Sequence, residues 1–150
     1  KLSDGNSFKI DTGHGWGAGI SFRPDRNLKL NEDSSADLFG AKQIKIKFKC
    51  DKSVKFRIGL NESGHAPAGA QVYQGVKNAD GETYQSWGPI SGNGQEQEYI
   101  FRLSEFSLNK YYGNQRGNHV INTDAIAELQ ISFPGSGMSG CFLLDSIHFE

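Results

Sequence analysis

Apolar and polar residues alternate with period two over several stretches of the chain, which predicts strands with one face buried and one in water. Ile44, Ile46, Phe48 and Cys50 alternate with Lys45, Lys47 and Lys49. After Asp51-Lys-Ser53, Val54, Phe56, Ile58 and Leu60 alternate with Lys55, Arg57 and Gly59, so these two runs are expected to pair as a hairpin. Tyr99, Phe101 and Leu103 mark a third strand, Leu129, Ile131 and Phe133 a fourth, and residues 141–149 a fifth. Shorter candidates lie at 8–10, 19–22, 71–73 and 84–87. No stretch sustains a helical period; the best helical candidate is one turn at 123–127, with Thr123 or Asp124 as its N-cap. Short strands joined by Gly, Asn, Asp and Ser loops predict an all-β domain, an antiparallel β-sandwich or jelly roll.

Composition agrees with that pattern. Nineteen glycines against a single methionine favour tight turns over helices. The 150 residues make one domain, 1–150, large enough for one core. A net charge of −1 offers nothing to recruit nucleic acid or an anionic membrane. No run is long and apolar enough for a helical membrane span. A chain starting at Lys1 is expected to be a domain excised from a longer precursor.

Asp145 falls on the same parity as Cys141, Leu143, Ile147 and Phe149, so it is expected to face the core. A carboxylate there needs a partner. A hard cation such as Ca²⁺ would serve, with oxygens from Ser3-Asp4-Gly-Asn6 at the other end of the chain. The alternative is a strand edge or bulge where Asp145 accepts backbone amides. Cys50 and Cys141 end neighbouring strand candidates, which leaves both a disulfide and two free thiols open.

Trp16, Tyr73, Tyr84, Trp87, Tyr111 and Tyr112 lie in or beside polar, glycine-rich loops. Large rings with polar neighbours suit half-wet binding sites. Asp80, Glu82, Gln85, Asn109, Gln115, Arg116 and Asn118 are at hand to bond ligand hydroxyls. Packing under a loop is the other use for any one of these rings. Gly13-His-Gly-Trp-Gly-Ala-Gly19 is not a nucleotide loop, because no helix pattern follows it. The four histidines (14, 65, 119, 148) show no zinc spacing. Glu96 and Glu98 share one strand rather than facing each other across a cleft, unlike a glycosidase pair. No Ser or Cys stands in a nucleophile motif. Asn61-Glu-Ser63 is a glycosylation sequon.

Several segments, in order, resemble a family 11 carbohydrate-binding module. These are Asp80-Gly-Glu-Thr-Tyr84, the amphipathic run 99–106, Lys110-Tyr-Tyr-Gly113, the I-x-x-x-x-I-x-F run 126–133, and Ser139-Gly followed by Phe142 and Asp145. Asp4-Gly5 and Trp16-Gly17 match more loosely. The resemblance implies a galactose-binding-like jelly roll that is not an enzyme itself. It implies binding of mixed-linkage β-1,3-1,4-glucan, and of cello-oligosaccharides, in an open cleft on one sheet. It further implies a monomeric module of a secreted bacterial plant-cell-wall hydrolase, with the attached catalytic domain and the β-glucan as partners. Ligand residues implied are Trp16, Asp80, Tyr84, Tyr111 and Tyr112, with Arg116 nearby, and Trp87 is added from the aromatic set. A structural calcium is implied at Asp4 and Asp145. One departure is Phe133, where the family carries a tyrosine. The rival readings are a sandwich that packs on a neighbouring catalytic domain, and a small glycoside hydrolase.

Overall fold

A computed structural model describes residues 6–15, 17–22, 40–62 and 81–150. Within them the chain forms strands β1 (Asn6–Asp11), β2 (Gly17–Phe22), β3 (Gln43–Cys50), β4 (Lys55–Glu62) and β5 (Thr83–Gln85). These are followed by β6 (Ile90–Ser91), β7 (Glu96–Arg102), β8 (Ser107–Leu108), β9 (Ile126–Pro134) and β10 (Ser139–Phe149). One sheet has the order β1-β10-β3-β7 and the other β2-β9-β4-β5-β8, with β6 alongside β4. Every ladder is antiparallel. The expected β-sandwich is therefore the fold.

The expected hairpin is not. β3 pairs with β10 and β7, whereas β4 pairs with β9, β5 and β6 in the other sheet. A tight turn, closed by Val54 N–H to the Asp51 carbonyl at 2.9 Å, carries the chain from one sheet to the other. Both strands then point their apolar rows at each other, and Phe48 meets Phe56 edge to face at 4.8 Å. Alternation reports a buried face, not the strand that shares its ladder. Phe133 and Phe142 complete the aromatic centre at 5.3 Å. Phe48, Phe56, Phe133 and Phe142 are fully buried.

β10 explains the misplaced Asp145. Phe142 and Leu144 point into the core, while Cys141 and Leu143 are exposed. A bulge between Leu144 and Ser146 inserts Asp145 as an extra residue and flips the parity, so Ile147 and Phe149 turn inward opposite Ile46 and Ile44. Asp145 does not face the core: it sits on the outer surface, its side chain 47% exposed, 3.7 Å from Lys47 Nζ. The strand thus carries two opposite apolar parities, one on each side of the bulge.

The cysteines end on adjacent antiparallel strands, but on opposite faces of their sheet. Cys50 is buried, Cys141 is exposed, and both are free thiols. A disulfide needs Cβ atoms that approach each other, and these diverge. Burial, followed by the Asp51 charge, pushes the Cys50 thiol up to about 11.

The helical turn expected at 123–127 is a turn closed by Ala125 N–H to the Asn122 carbonyl. A 3-10 turn forms instead at Leu103–Glu105, ending the strand that was expected to include Leu103. The candidate strand at 71–73 lies outside the described residues. Asn61, in the sequon, is 3% exposed on β4 and donates to Glu128 at 3.1 Å. A glycan cannot reach it without unfolding the strand.

Candidate functional site

The loop from Asn109 to Asn122, between β8 and β9, is built from side chains that cap their own backbone. Asn109 Oδ1 accepts Tyr111 N–H, Asn114 Oδ1 accepts Arg116 N–H, and Asn118 Oδ1 accepts Val120 N–H, at 2.8–3.0 Å. Each is an Asx turn, the local bond that lets asparagine replace regular structure. Gln115 Nε2 gathers the carbonyls of Asn109, Tyr112 and Gly113 at 2.8–3.2 Å. The loop is locked from inside before it touches anything else.

Two fully buried glutamates then fix it to the sandwich. Glu82 Oε2 accepts the Tyr84 hydroxyl at 2.8 Å and His119 N–H at 3.0 Å. Glu62 Oε1 accepts Asn122 N–H at 2.7 Å. Glu62 N–H in turn bonds the Glu82 carbonyl, just ahead of β5. His119 adopts φ 58°, a conformation that costs a non-glycine residue energy and persists where its surroundings enforce it. On the other side, Asn109 N–H and Asn114 N–H bond the carbonyls of Thr83 and Gly81. Gly113, at φ 83°, lies so close to Thr83 that an added Cβ would sit 2.6 Å from its hydroxyl. The loop is therefore pressed onto the β5 edge of the second sheet.

Held this way, the loop displays Tyr111, 97% exposed, and Tyr112, 42% exposed, with Arg116 also in solvent. Beside it runs the outer face of the second sheet. Arg57 and Gly59 from β4 share that face with Glu128, Gln130 and Ser132 from β9 and with Gln85 from β5, while Asn61 and Thr83 are buried on the same row. Gly19 and Gly59 flank Gln130 and leave its side chain open on both sides; a Cβ on either would come into ordinary contact with it at 3.6–3.7 Å. Arg57 Nε is buried with no hydrogen-bond partner among the described residues. Such a face offers amides and a guanidinium to a polyhydroxylated ligand. Under the loop opens a groove of about 500 Å³ lined by Tyr84, Leu103, Phe106, Val120 and Ile121, with Lys42, His119 and Thr123 as polar members.

The structure gathers Tyr111, Tyr112 and Arg116 on one loop. Tyr84, 4% exposed, sits in the core with its hydroxyl on Glu82, so it supports the loop and offers little ring face to a ligand. Trp87 lies apart, on the turn after β5. Trp16 and Asp80 fall outside the described residues, as do Tyr73 and Asp4. The anchoring role of Glu62 and Glu82 was not read from sequence. Glu62 lies just past the alternating run, inside the glycosylation sequon, and Glu82 reads there as one more group to bond ligand hydroxyls.

Of the two residues implied for calcium, Asp145 alone lies among the described residues, with a lysine beside it. Glu96 first, through its hydrogen bond and its charge, and then Asp145 raise the Lys47 pKa above the usual lysine value. Among the described residues no three His, Cys, Asp or Glu gather as a metal ion requires. These residues do not by themselves fit the ion. Glu96 and Glu98 pair with Lys47 and Lys45 on the outer face of the first sheet.

No protein-family model and no curated protein matches the chain. Among the solved structures that share its fold are two family 11 modules. One is a family 11 carbohydrate-binding module from Clostridium thermocellum, in complex with a β-1,3-1,4-mixed-linked tetrasaccharide; at 18% identity and TM-score 0.55, the match covers 98% of this chain and 84% of that one. The other is the family 11 module of a cellulosomal cellulase of Clostridium thermocellum, at 16% identity and TM-score 0.53, covering 98% and 82%.

Proposed function

We propose that this chain is a non-catalytic carbohydrate-binding module that takes a β-glucan chain across the outer face of the second sheet, beside the Tyr111–Tyr112 loop. The observation that carries the reading is the loop itself. Two tyrosines stand in solvent on a backbone fixed by three Asx turns and two buried carboxylates. A ring held rigidly in water loses little freedom when a sugar stacks on it. The polar face alongside sets the Gln85 and Gln130 amides on either side of Gly59, suited to hydroxyls along an extended chain. The fold shared with two family 11 modules supports the same reading.

In this proposal the preferred ligand is mixed-linkage β-1,3-1,4-glucan, with cello-oligosaccharides as a lesser one. The module serves to hold an attached, secreted glycoside hydrolase near plant cell wall. Asp4 and Asp145 hold a calcium ion only if Lys47 releases Asp145.

Titration calorimetry with barley mixed-linkage β-glucan, with xylan and galactan as controls, tests the proposal. A few stacked rings, each worth roughly 1 kcal/mol, predict a Kd on the order of micromolar. Saturable heat with the glucan alone is the expected result. A flat trace with all three polymers overturns it and favours a sandwich that packs on a neighbouring domain.

A further inference from the structure

Trp87 is 84% exposed, yet its backbone is fixed. Ser86 N–H bonds the Ile58 carbonyl at 2.8 Å, and Ser86 Oγ accepts Ile58 N–H at 3.2 Å. Gly88, at φ 62°, and Pro89 then turn the chain away. An indole in water contributes almost nothing to the core, so holding it rigidly there does not serve stability. Beside it lies a shallow notch of about 30 Å³ lined by Tyr99, Phe101, Arg102, Glu105 and Phe106. Tyr99 is 41% exposed and leans on Phe101 at 4.6 Å, and Phe101 meets Phe56 at 6.3 Å. The surface ring is braced through to the centre of the sandwich. Arg102 Nη1 and Glu105 Oε1 stand 3.2 Å apart at this notch, both side chains more than half exposed.

We propose that Trp87 and Tyr99 form a second glycan-contact surface, taking the apolar face of a β-linked pyranose on the indole while Arg102 and Glu105 bond its hydroxyls. The proposal rests on the carbohydrate-binding reading above. The surface is separate from the tyrosine loop: neither Tyr111, Tyr112 nor Arg116 lines the notch, which opens between β7 and the turn at 86–89. A protein partner fits it poorly. The notch is too shallow to take an anchoring side chain, and Arg102 and Glu105 line it, charges of the kind that protein interface cores exclude. A flat ring with a rim of donors and acceptors matches a flat ligand with an apolar face and hydroxyl edges.

The test uses protein labelled with 5-fluorotryptophan, with the Trp87 ¹⁹F resonance assigned by Trp87→Phe, titrated with the β-1,3-1,4-mixed-linked tetrasaccharide. Heat is measured in parallel by calorimetry. The expected result is a saturable shift of the Trp87 signal in the wild type, retained with a similar midpoint in a Tyr111→Ala/Tyr112→Ala double variant. Trp87→Ala should also weaken retention on barley glucan polymer about fivefold. A static Trp87 signal while calorimetry records binding overturns the second surface and leaves the module reading standing. A shift that disappears in the double variant also overturns it, because the two regions are then one site. No shift and no heat overturns both readings.

Discussion

Removing the Glu82 carboxylate should release the tyrosine loop. In Glu82→Ala, the Tyr84 hydroxyl and His119 N–H lose acceptors at 2.8 and 3.0 Å. Hydrogen bonds to a charged group contribute about 1.5–3 kcal/mol each, and a buried donor left without a partner bears its full desolvation cost. Against this, the variant no longer buries a carboxylate, which returns a few kcal/mol. The two bonds and the vacated space outweigh that return, and a net loss of about 2–4 kcal/mol is expected. Glu82→Gln keeps one acceptor oxygen and the shape while removing the charge, so its loss should stay near 1 kcal/mol. Urea unfolding measures both.

Stability alone does not separate an anchor from any other buried residue, so amide exchange supplies the second measurement. The His119 amide should be protected in the wild type and exchange rapidly in Glu82→Ala, while amides of β3 and β9 stay protected. Glucan affinity should fall with the alanine variant and largely survive in the glutamine one. If Glu82→Ala unfolds within about 0.5 kcal/mol of the wild type and the His119 amide remains slow, the loop is held by something else.

Other consequences are checked more quickly. Tyr111→Ala should weaken glucan binding about fivefold with an unchanged melting temperature, since its ring lies in water; normal binding would remove it from the site. Phe56→Ala, at a fully buried position where two other rings meet within 5.0 Å, should cost about 3–5 kcal/mol in urea unfolding. One thiol per folded chain, Cys141, should react with a disulfide reagent, and a second only after unfolding. Because the folded Cys50 pKa lies above its ordinary 9.0, its contribution is intact below pH 9 and is lost as pH rises toward 11. That is about 3 kcal/mol, and a Cys50→Ala variant with an equally steep alkaline decline would contradict it. Calcium added to chelator-treated protein should raise the melting temperature by about 5 °C or more if Asp4 and Asp145 bind it, and Asp145→Ala should abolish the rise.

Period-two alternation made the strands legible, and it failed where a strand's neighbours lie far off in sequence. Residues 44–50 and 54–60 read correctly as strands, but which ladder each joins depends on β10 and β9, about a hundred and about seventy residues away. At Asp145 the pattern misled because a bulge shifts register without leaving a mark in composition; an exposed Leu143 beside a buried Phe142 shows it only in three dimensions. Within the candidate site, the exposed tyrosines were legible as rings among glycines and amides. Tyr84 was not separable from them, because a core tyrosine bonded to a buried glutamate has the same local sequence as one offered to a ligand. The glutamates stayed hidden for the same reason.

The two outer faces of the sandwich differ in a way that supports the placement of the site. On the first sheet, Lys45, Lys47, Glu96, Glu98 and Asp145 are laced together as ion pairs between 2.8 and 3.7 Å. With side chains 30–65% exposed, such pairs add little stability. Their charge does discourage another strand from docking along the free edge of β7. The same laced charges leave few free hydrogen-bonding groups for a neutral polysaccharide. Among the described residues, the second sheet carries the Gln85 and Gln130 amides, the Ser132 hydroxyl and Arg57 on its outer face, with Glu128 as its one acid, and the tyrosine loop is clamped to its edge. A neutral ligand gains from the second face and is indifferent to the first. Added salt should therefore leave glucan affinity nearly unchanged, since no ion pair forms on binding. A several-fold change of affinity between 50 mM and 500 mM NaCl would instead mean that ion pairs are broken or made on binding, and would place the ligand against the charged face.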